Sequence, residues 1–324
     1  MTKINNEMKP TTEQINVLNN ISSFLNDNEQ DFKIVLGAAG TGKSTIMKWV
    51  LNMLNKKEFP FYLCAPTGAA AKVIREKTKH DSKTVHSLIY DTVILKNGLG
   101  VKWVLRSMCS NKPSVFIIDE SSMISDLVYP SERYVSDNPL LSDLISFVKS
   151  GNKANKIIFI GDRFQLPPSH KEYESPALSD KYLQIKHNLK GDVIMLSDIL
   201  RQGEGSYVLD AATKLRECME NNSMVPELNL SNLNNATSAI VKYVYFYHIL
   251  NPAKVSIVAW TNRDVNFFNG AIRDRFGLSR DLISVGDQMV MQSTWTNGID
   301  CIFKGETVYI TEVSDGVEKC ADLS

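Results

Sequence analysis

The sequence predicts an α/β fold in which a largely parallel sheet is covered by helices on both faces. Three observations carry this. Short continuous apolar runs (FKIVLG, FYLCAP, VFIIDE, KIIFIGD) read as buried strands, without the alternation expected of a strand that faces water. Stretches with apolar residues at helical spacing separate these runs. A glycine-rich turn, GAAGTGKST, joins the first run directly to one of the helices.

From the N-terminal side, TTEQINVLNNISSFL places Ile15, Leu18, Ile21 and Leu25 on one helical face, with Thr12 as the expected cap. FKIVLG is the first strand, and IMKWVLNML the helix after the glycine-rich turn. FYLCAP is the second strand, followed by the helix GAAAKVIREK; VFIIDE and KIIFIGD supply two more strands. After about residue 200 the pattern resumes. SYVLDAATKLRECME predicts a helix with Val208, Ala211, Ala212 and Leu215 inward, VSIVAW a buried strand, and RDVNFFNGAIRDRF a helix. Beyond Gly277 come short strands (DQMVMQ, ETVYITEV) between turns, and the polar stretch 227–238 reads as a surface connection.

At about 100–200 residues per domain, 324 residues suggest two domains, or one with an appendage. The boundary is expected near residue 200: a first domain over 1–200 with a small insertion near 90–110, and a second over 201–324. Lysine plus arginine and aspartate plus glutamate both number 36, so any grip on nucleic acid must come from local charge and not from a basic bulk. The five cysteines are scattered and odd in number, and MTKINNEMKP has no apolar leader core, which fits a reduced, cytoplasmic setting. No run of roughly 18 apolar residues offers a membrane span.

The segment Gly37, Ala38, Ala39, Gly40, Thr41, Gly42, Lys43, Ser44, followed by Thr45, matches GxxxxGK[ST] between a strand and a helix. In such a loop, backbone N–H groups converge on phosphate oxygens, and the glycines permit the wrap. Lys43 would neutralise the β- and γ-phosphates and Ser44 would ligate Mg²⁺. Downstream, the apolar run Val115 to Ile118 delivers Asp119 and Glu120 at a strand's end, where a parallel sheet presents ligands. Asp119 can hold Mg²⁺ and Glu120 can orient and deprotonate an attacking water, which points to hydrolysis over mere binding.

The order of the remaining segments resembles the superfamily 1B helicases of the RecD, Dda and Pif1 type. Thr12-Glu13-Gln14 is similar to their N-terminal glutamine motif, which implies that Gln14 reads an adenine edge. Ala65-Pro66-Thr67-Gly68-Ala69-Ala70-Ala71 resembles motif Ia and Thr84-Val85-His86-Ser87-Leu88 the segment after it, which implies that Pro66, Thr67 and His86 face DNA. Gly161-Asp162-Arg163-Phe164-Gln165-Leu166-Pro167-Pro168 resembles motif III, with Gln165 linking γ-phosphate to strand, and Leu200-Arg201-Gln202 resembles motif IV, with Arg201 on the γ-phosphate. Val258 to Arg263, with Asn269, is similar to the opening strand of a second motor domain.

The resemblance implies a RecA-like P-loop NTPase domain, then a partial second RecA-like domain leading into a small β insertion. It implies ATP and Mg²⁺ as nucleotide and metal, single-stranded DNA or a forked duplex as partner, and 5′-to-3′ movement. Segments like the family's motifs V and VI are not found before Ser324, so the chain reads as a fragment or a truncated relative, and autonomous unwinding is in doubt. Two rivals stand beside this reading: an ATP- and DNA-binding module without hydrolysis, and a small-molecule phosphotransferase, in which GDRFQLPP would have no role. The basic run from Lys72 to Lys83 reads first as a solvated face and second as a phosphate track. Trp260 is expected in the core; for Trp103, core packing and base stacking stay open.

Overall fold

The computed structural model describes residues 9–94, 101–108, 112–128, 134–135, 137–168, 175–198, 207–224, 241, 244–245, 257–280, 282–291, 295–296, 301–302 and 307–313. Its centre is a six-stranded sheet. Helix α1 (Thr12–Asn26) precedes β1 (Phe32–Gly37), α2 (Lys43–Lys56), β2 (Phe61–Ala65), α3 (Gly68–Thr78), β3 (Lys83–Thr84) and α4 (Val85–Ile89). Then come β4 (Tyr90–Ile94), β5 (Val101–Leu105), β6 (Val115–Ile118), β7 (Tyr134–Val135), α5 (Leu140–Gly151), β8 (Lys156–Gly161), α6 (Asp180–His187) and β9 (Gly191–Leu196).

The strand order is β3-β2-β6-β8-β1-β9, and every pairing is parallel. All residues of β1, β6 and β8 are buried, as central parallel strands covered on both faces must be. Alternate side chains serve opposite faces. Phe32, Ile34, Leu36, Phe116, Ile118, Ile157 and Phe159 pack with Leu141, Leu144 and Val148 of α5 and Leu183 of α6. On the other face Val35, Val115, Ile117, Ile158 and Ile160 meet Val17, Ile21 and Phe24 of α1, Ile46, Val50 and Leu54 of α2, and Ile74 of α3. The predicted α/β class, a RecA-like P-loop sheet, is the observed one. Because the strands are parallel, the chain leaves β6, β8 and β1, three neighbours, at one end of the sheet.

The N-terminal helix corrects two expectations. Its cap is Thr11, not Thr12: Thr11 Oγ1 accepts the Gln14 backbone N–H (3.2 Å), while Gln14 Oε1 accepts the Thr11 N–H (3.0 Å). This reciprocal box needs Thr and Gln three residues apart, a spacing that only Thr11 satisfies. The buried face is Gln14, Val17, Ile21, Phe24 and Leu25, leaving Ile15 exposed.

Tyr90–Ile94 and Val101–Leu105 form an antiparallel pair, with β7 added in parallel to β5. Arg106 ties the pair back to α4, donating to Asp91 Oδ1 (2.7 Å) and to the Ser87 carbonyl (2.9 Å).

The chain divides into two compact units: a larger one on the chain up to Asp210, and a smaller one on Ala211–Met291 with the strand Thr307–Tyr309. Helix α7 (Tyr207–Glu220) forms as expected, but Ala212 is exposed and Ala211 and Leu215 are only half-buried, while the side chain of Val208 lies outside the described residues. Helix α8 (Asn262–Arg275) is capped by Thr261, whose hydroxyl accepts the Asp264 N–H (3.1 Å). Strands β10 (Gln288–Val290) and β13 (Thr307–Tyr309) pair antiparallel, as do β11 (Trp295–Thr296) and β12 (Cys301–Ile302).

VSIVAW is not a buried strand in its described part: residues 257–260 form none, and Val258 and Trp260 are 94% and 85% exposed. An apolar run becomes a strand only where a neighbour accepts its ladder, and no described strand pairs with it. Trp260 therefore is not a core residue. The polar stretch 227–238 lies outside the described residues. Among the described residues, no helix is long and apolar enough to cross a membrane.

Candidate functional site

The phosphate-loop pattern folds as a wrap between β1 and α2. Gly40 and Gly42 take φ of 88° and 89°, the left-handed region in which a side chain is strained, so glycine is required at both. Gly37 is needed for space instead: a Cβ there would stand 2.5 Å from Thr41 Oγ1 and 3.1 Å from Leu196 Cβ. Thr41 is buried and donates its hydroxyl to the Ala38 carbonyl (3.0 Å), bracing the loop from beneath. Gly42 is the N-cap of α2 and provides no side-chain cap, so the loop runs into the positive dipole end of a 14-residue helix, a place suited to an anion. Lys43 curls onto the loop, its ammonium donating to the Gly37 (2.7 Å) and Ala38 (2.9 Å) carbonyls. Ser44 and Thr45 start α2, and the Thr45 N–H bonds back to the Gly42 carbonyl (2.9 Å).

A cleft of about 230 Å³ is lined by Ser44 and Met47 of α2, Val73, Ile74 and Lys77 of α3, and Asp119 and Glu120 beyond β6. The predicted Mg²⁺ pair, Ser44 and Asp119, thus faces one space. Burial pushes the Asp119 carboxyl up to about 6, with Glu120's charge adding to the rise; the Glu120 backbone N–H, Lys43 and Lys77 pull the other way. A buried carboxylate in this condition is one whose ionised form a divalent cation would stabilise, so the residues fit the metal. Among the described residues no group of three or more His, Cys, Asp or Glu makes a cage, so such a cation would take its remaining ligands from phosphate and water.

Glu120 stands in the left-handed region at φ 52°, at the head of a 3₁₀ turn over Ser121–Met123. A non-glycine residue there costs roughly 1–3 kcal/mol and persists only where its surroundings impose it. Several bonds do so. The Glu120 N–H donates to Asp119 Oδ1 (3.0 Å), the Ser121 hydroxyl to the Ile118 carbonyl (2.8 Å), and the Ser175 hydroxyl to the Ser121 carbonyl (3.3 Å). Ser122 Oγ donates to Gln165 Oε1 (2.6 Å), hooking the Glu120 turn to the segment after β8. Asp162 forms the intervening turn: its carbonyl accepts the Gln165 N–H and its carboxylate the Phe164 N–H (3.0 Å). Ser122 and Asp162 have no role of their own in the sequence reading, and Lys77 figures there only within the basic run from Lys72 to Lys83. The GD of GDRFQLPP was a local signal for Asp162, whereas Lys77 and Ser122 come to the site only through folding.

The other predicted residues scatter. Gln14 is 3% exposed with its oxygen in the capping box, and beside it Glu13 accepts from the Ser197 (2.7 Å) and Asp198 (3.0 Å) N–H groups. Thr67 caps α3, its hydroxyl accepting the Ala70 N–H (3.2 Å), and Pro66 is half-buried beside it. His86, also half-buried, meets Trp103 edge-on at 4.4 Å and Tyr90 at 5.8 Å. Trp103 packs against Tyr90 at 5.0 Å and against the core, which settles the choice left open for it. Of the basic run, Arg75 bonds the Ser82 carbonyl (2.9 Å) and lies 3.8 Å from Asp81, and Lys72, Lys79 and Lys83 are exposed, a solvated face apart from Lys77. Arg201 lies outside the described residues.

A family model described as an AAA domain matches residues 11–225. The ATP-dependent RecD2 DNA helicase of Deinococcus radiodurans is 28% identical over 180 residues, which cover 55% of this chain and 21% of that protein. The ATP-dependent DNA helicase dda of Enterobacteria phage T4 is 26% identical over 270 residues, covering 79% of this chain and 55% of that one. An unliganded Pif1 from a Bacteroides species aligns over 95% of this chain and 71% of its own at 19% identity, with a TM-score of 0.48. The chain spans from about a fifth to just over half the length of these curated relatives.

Proposed function

From a chain that belongs to the family of AAA domains matched over residues 11–225, of the superfamily 1B helicase type, we infer a motor that hydrolyses ATP and uses the cycle to move along single-stranded DNA. The observation that carries this is convergence: three neighbouring parallel strands, β1, β8 and β6, deliver the phosphate loop, Gln165 and the Asp119–Glu120 pair at one end of the sheet. The loop N–H groups and Lys43 would hold the phosphates. Ser44 and Asp119 would hold Mg²⁺, which when bound neutralises charge on the phosphate oxygens. Glu120 would orient a water and accept its proton, and Gln165, hooked to the same turn, would sense whether the γ-phosphate is present. Gln14 is assigned to the adenine and Arg201 to the γ-phosphate by likeness of their segments. Pro66 and Thr67, in the turn after β2, and His86, in helix α4 directly after β3, are assigned to the strand. Movement from 5′ to 3′ and a forked duplex as the working substrate follow the same likeness.

Two variants test the reading. Lys43→Ala, at the first position of α2 and not in the core, should abolish nucleotide binding without unfolding the chain. Glu120→Gln should keep ATP affinity but lose hydrolysis, since removing a general base costs about 10²–10⁴-fold. Calorimetry gives the first, and turnover with saturating single-stranded DNA the second. Near-normal turnover by the glutamine variant would mean that the base is misassigned.

A further inference from the structure

Six residues beyond Glu120, Asp126 is 2% exposed and gathers donors from two helices. Its Oδ1 accepts the backbone N–H (3.1 Å) and hydroxyl (2.7 Å) of Ser142 on α5. Its Oδ2 accepts the Tyr182 hydroxyl (2.8 Å) and stands 3.0 Å from the Lys186 ammonium and 3.1 Å from His187 Nε2, all on α6. Lys186 also donates to the Tyr182 oxygen (2.9 Å). Burial by itself would raise the Asp126 carboxyl, but Ser142, Tyr182, Lys186 and His187 outweigh it and hold the group below its ordinary range. A buried, multiply bonded anion of this kind contributes little stability beyond what apolar side chains of the same shape would. What it does supply is a single geometry for the elements it joins.

One of those elements, the loop that ends at Asp126, starts at the proposed base, Glu120. The loop from Glu120 to Asp126 begins with the left-handed backbone of Glu120 and includes Ser122, which holds Gln165. Helix α6 follows the Gln165 segment, and Ser175, just before it, holds the Ser121 carbonyl. Asp126 therefore ties the far end of the loop that holds Glu120, and through Ser122 Gln165, to α5 and α6. We propose that Asp126 is a positioning residue for hydrolysis, which clamps the Glu120 turn and Gln165 in register through Ser142, Tyr182, Lys186 and His187. The proposal rests on the ATPase reading above.

The test is hydrolysis by the full chain with Mg–ATP and single-stranded DNA, counting only the turnover that Lys43→Ala abolishes. Asp126→Asn keeps the shape but removes the charge and turns a donor toward Tyr182, Lys186 or His187. It should lower kcat on the order of tenfold or more, because small misplacement of reacting groups is costly, while KM and ADP affinity change less than about twofold. Tyr182→Phe, which removes one arm and keeps the ring's packing, should lower kcat in the same direction by less, and covers the case in which the asparagine variant fails to fold. In a Gln165→Ala background the Tyr182 or Asp126 substitution should cost less than it does alone, keeping only the part that acts through the Glu120 turn, since groups acting through one another are not additive. Unchanged kcat in Tyr182→Phe and Asp126→Asn, or losses that simply add to that of Gln165→Ala, would overturn the proposal and leave the ATPase reading standing. Turnover that Lys43→Ala leaves undiminished, or its complete absence in the unaltered chain, would remove both.

Discussion

Asp119 combines two demands that oppose each other in pH. Burial, and then Glu120, push its carboxyl from 3.8 to about 6. The folded state therefore holds the proton more tightly than the unfolded chain does. Its contribution to stability is fully present below the unfolded value and is lost as pH rises through the folded one, near 6. Metal binding runs the other way, because only the ionised carboxylate is a ligand. The Mg²⁺-dependent part of ADP affinity should weaken by about tenfold per pH unit below 6 and level off above it, as expected for one competing proton. Asp119→Asn should remove that slope and make the nucleotide-free chain more stable at pH 8. Fluorescent-ADP titrations across pH 5–8 and denaturant unfolding would check the two halves; a slope that persists in the asparagine variant would place the titrating group elsewhere. The place of Asp119 and Glu120 was legible in sequence, since an apolar strand ending in two carboxylates is a local pattern. The left-handed backbone of Glu120 was not, because it is imposed by Ser122, Ser175 and their distant partners.

At the scale of elements, α1 shows how a short polar box sets a helix start and through it the place of Gln14, the residue proposed for the adenine. Thr11 and Gln14 satisfy each other's backbone N–H groups, and the same turn offers Glu13 to the chain leaving β9, 184 residues away. Thr11→Ala should cost about 1 kcal/mol, within the 0.5–2 kcal/mol range for lost caps. Thr12→Ala, exposed in the first turn, should change stability by less than about 0.5 kcal/mol. Chemical denaturation of both variants measures this, and a larger loss for Thr12 would return the cap to the position first expected. Helix α3 poses a different case. The Thr67 hydroxyl caps it, so any contact of that oxygen with a nucleic-acid strand is made by a group already fixed in direction by its own helix.

For the whole molecule, nucleotide binding should appear as stability of the larger unit. A ligand that binds only the folded state at a hundred times its Kd adds about 2.7 kcal/mol. Mg–ADP should therefore raise the melting temperature of the transition that reports the six-stranded sheet, and the shift should vanish in Lys43→Ala. Differential scanning calorimetry, with near-ultraviolet signals to separate the units, gives the measurement. An equal shift in the Lys43 variant would mean that nucleotide binds away from the phosphate loop.

The sequence by itself determined the α/β class, the four central strands, the phosphate loop and the carboxylate pair. Each of these is written in contiguous residues: strand burial shows as an unbroken apolar run, and a phosphate is wrapped by eight successive positions. Tertiary structure alone decided how the parts meet. Ser122 reaches Gln165 across 43 residues, and Asp126 gathers Tyr182 and His187 from 56 and 61 residues away. Periodicity carries no information about such partners, because it records which way a side chain faces and not what waits there. Trp260 makes the converse point: a run fit for a buried strand stands in water in its described part, since burial depends on a neighbour to accept it.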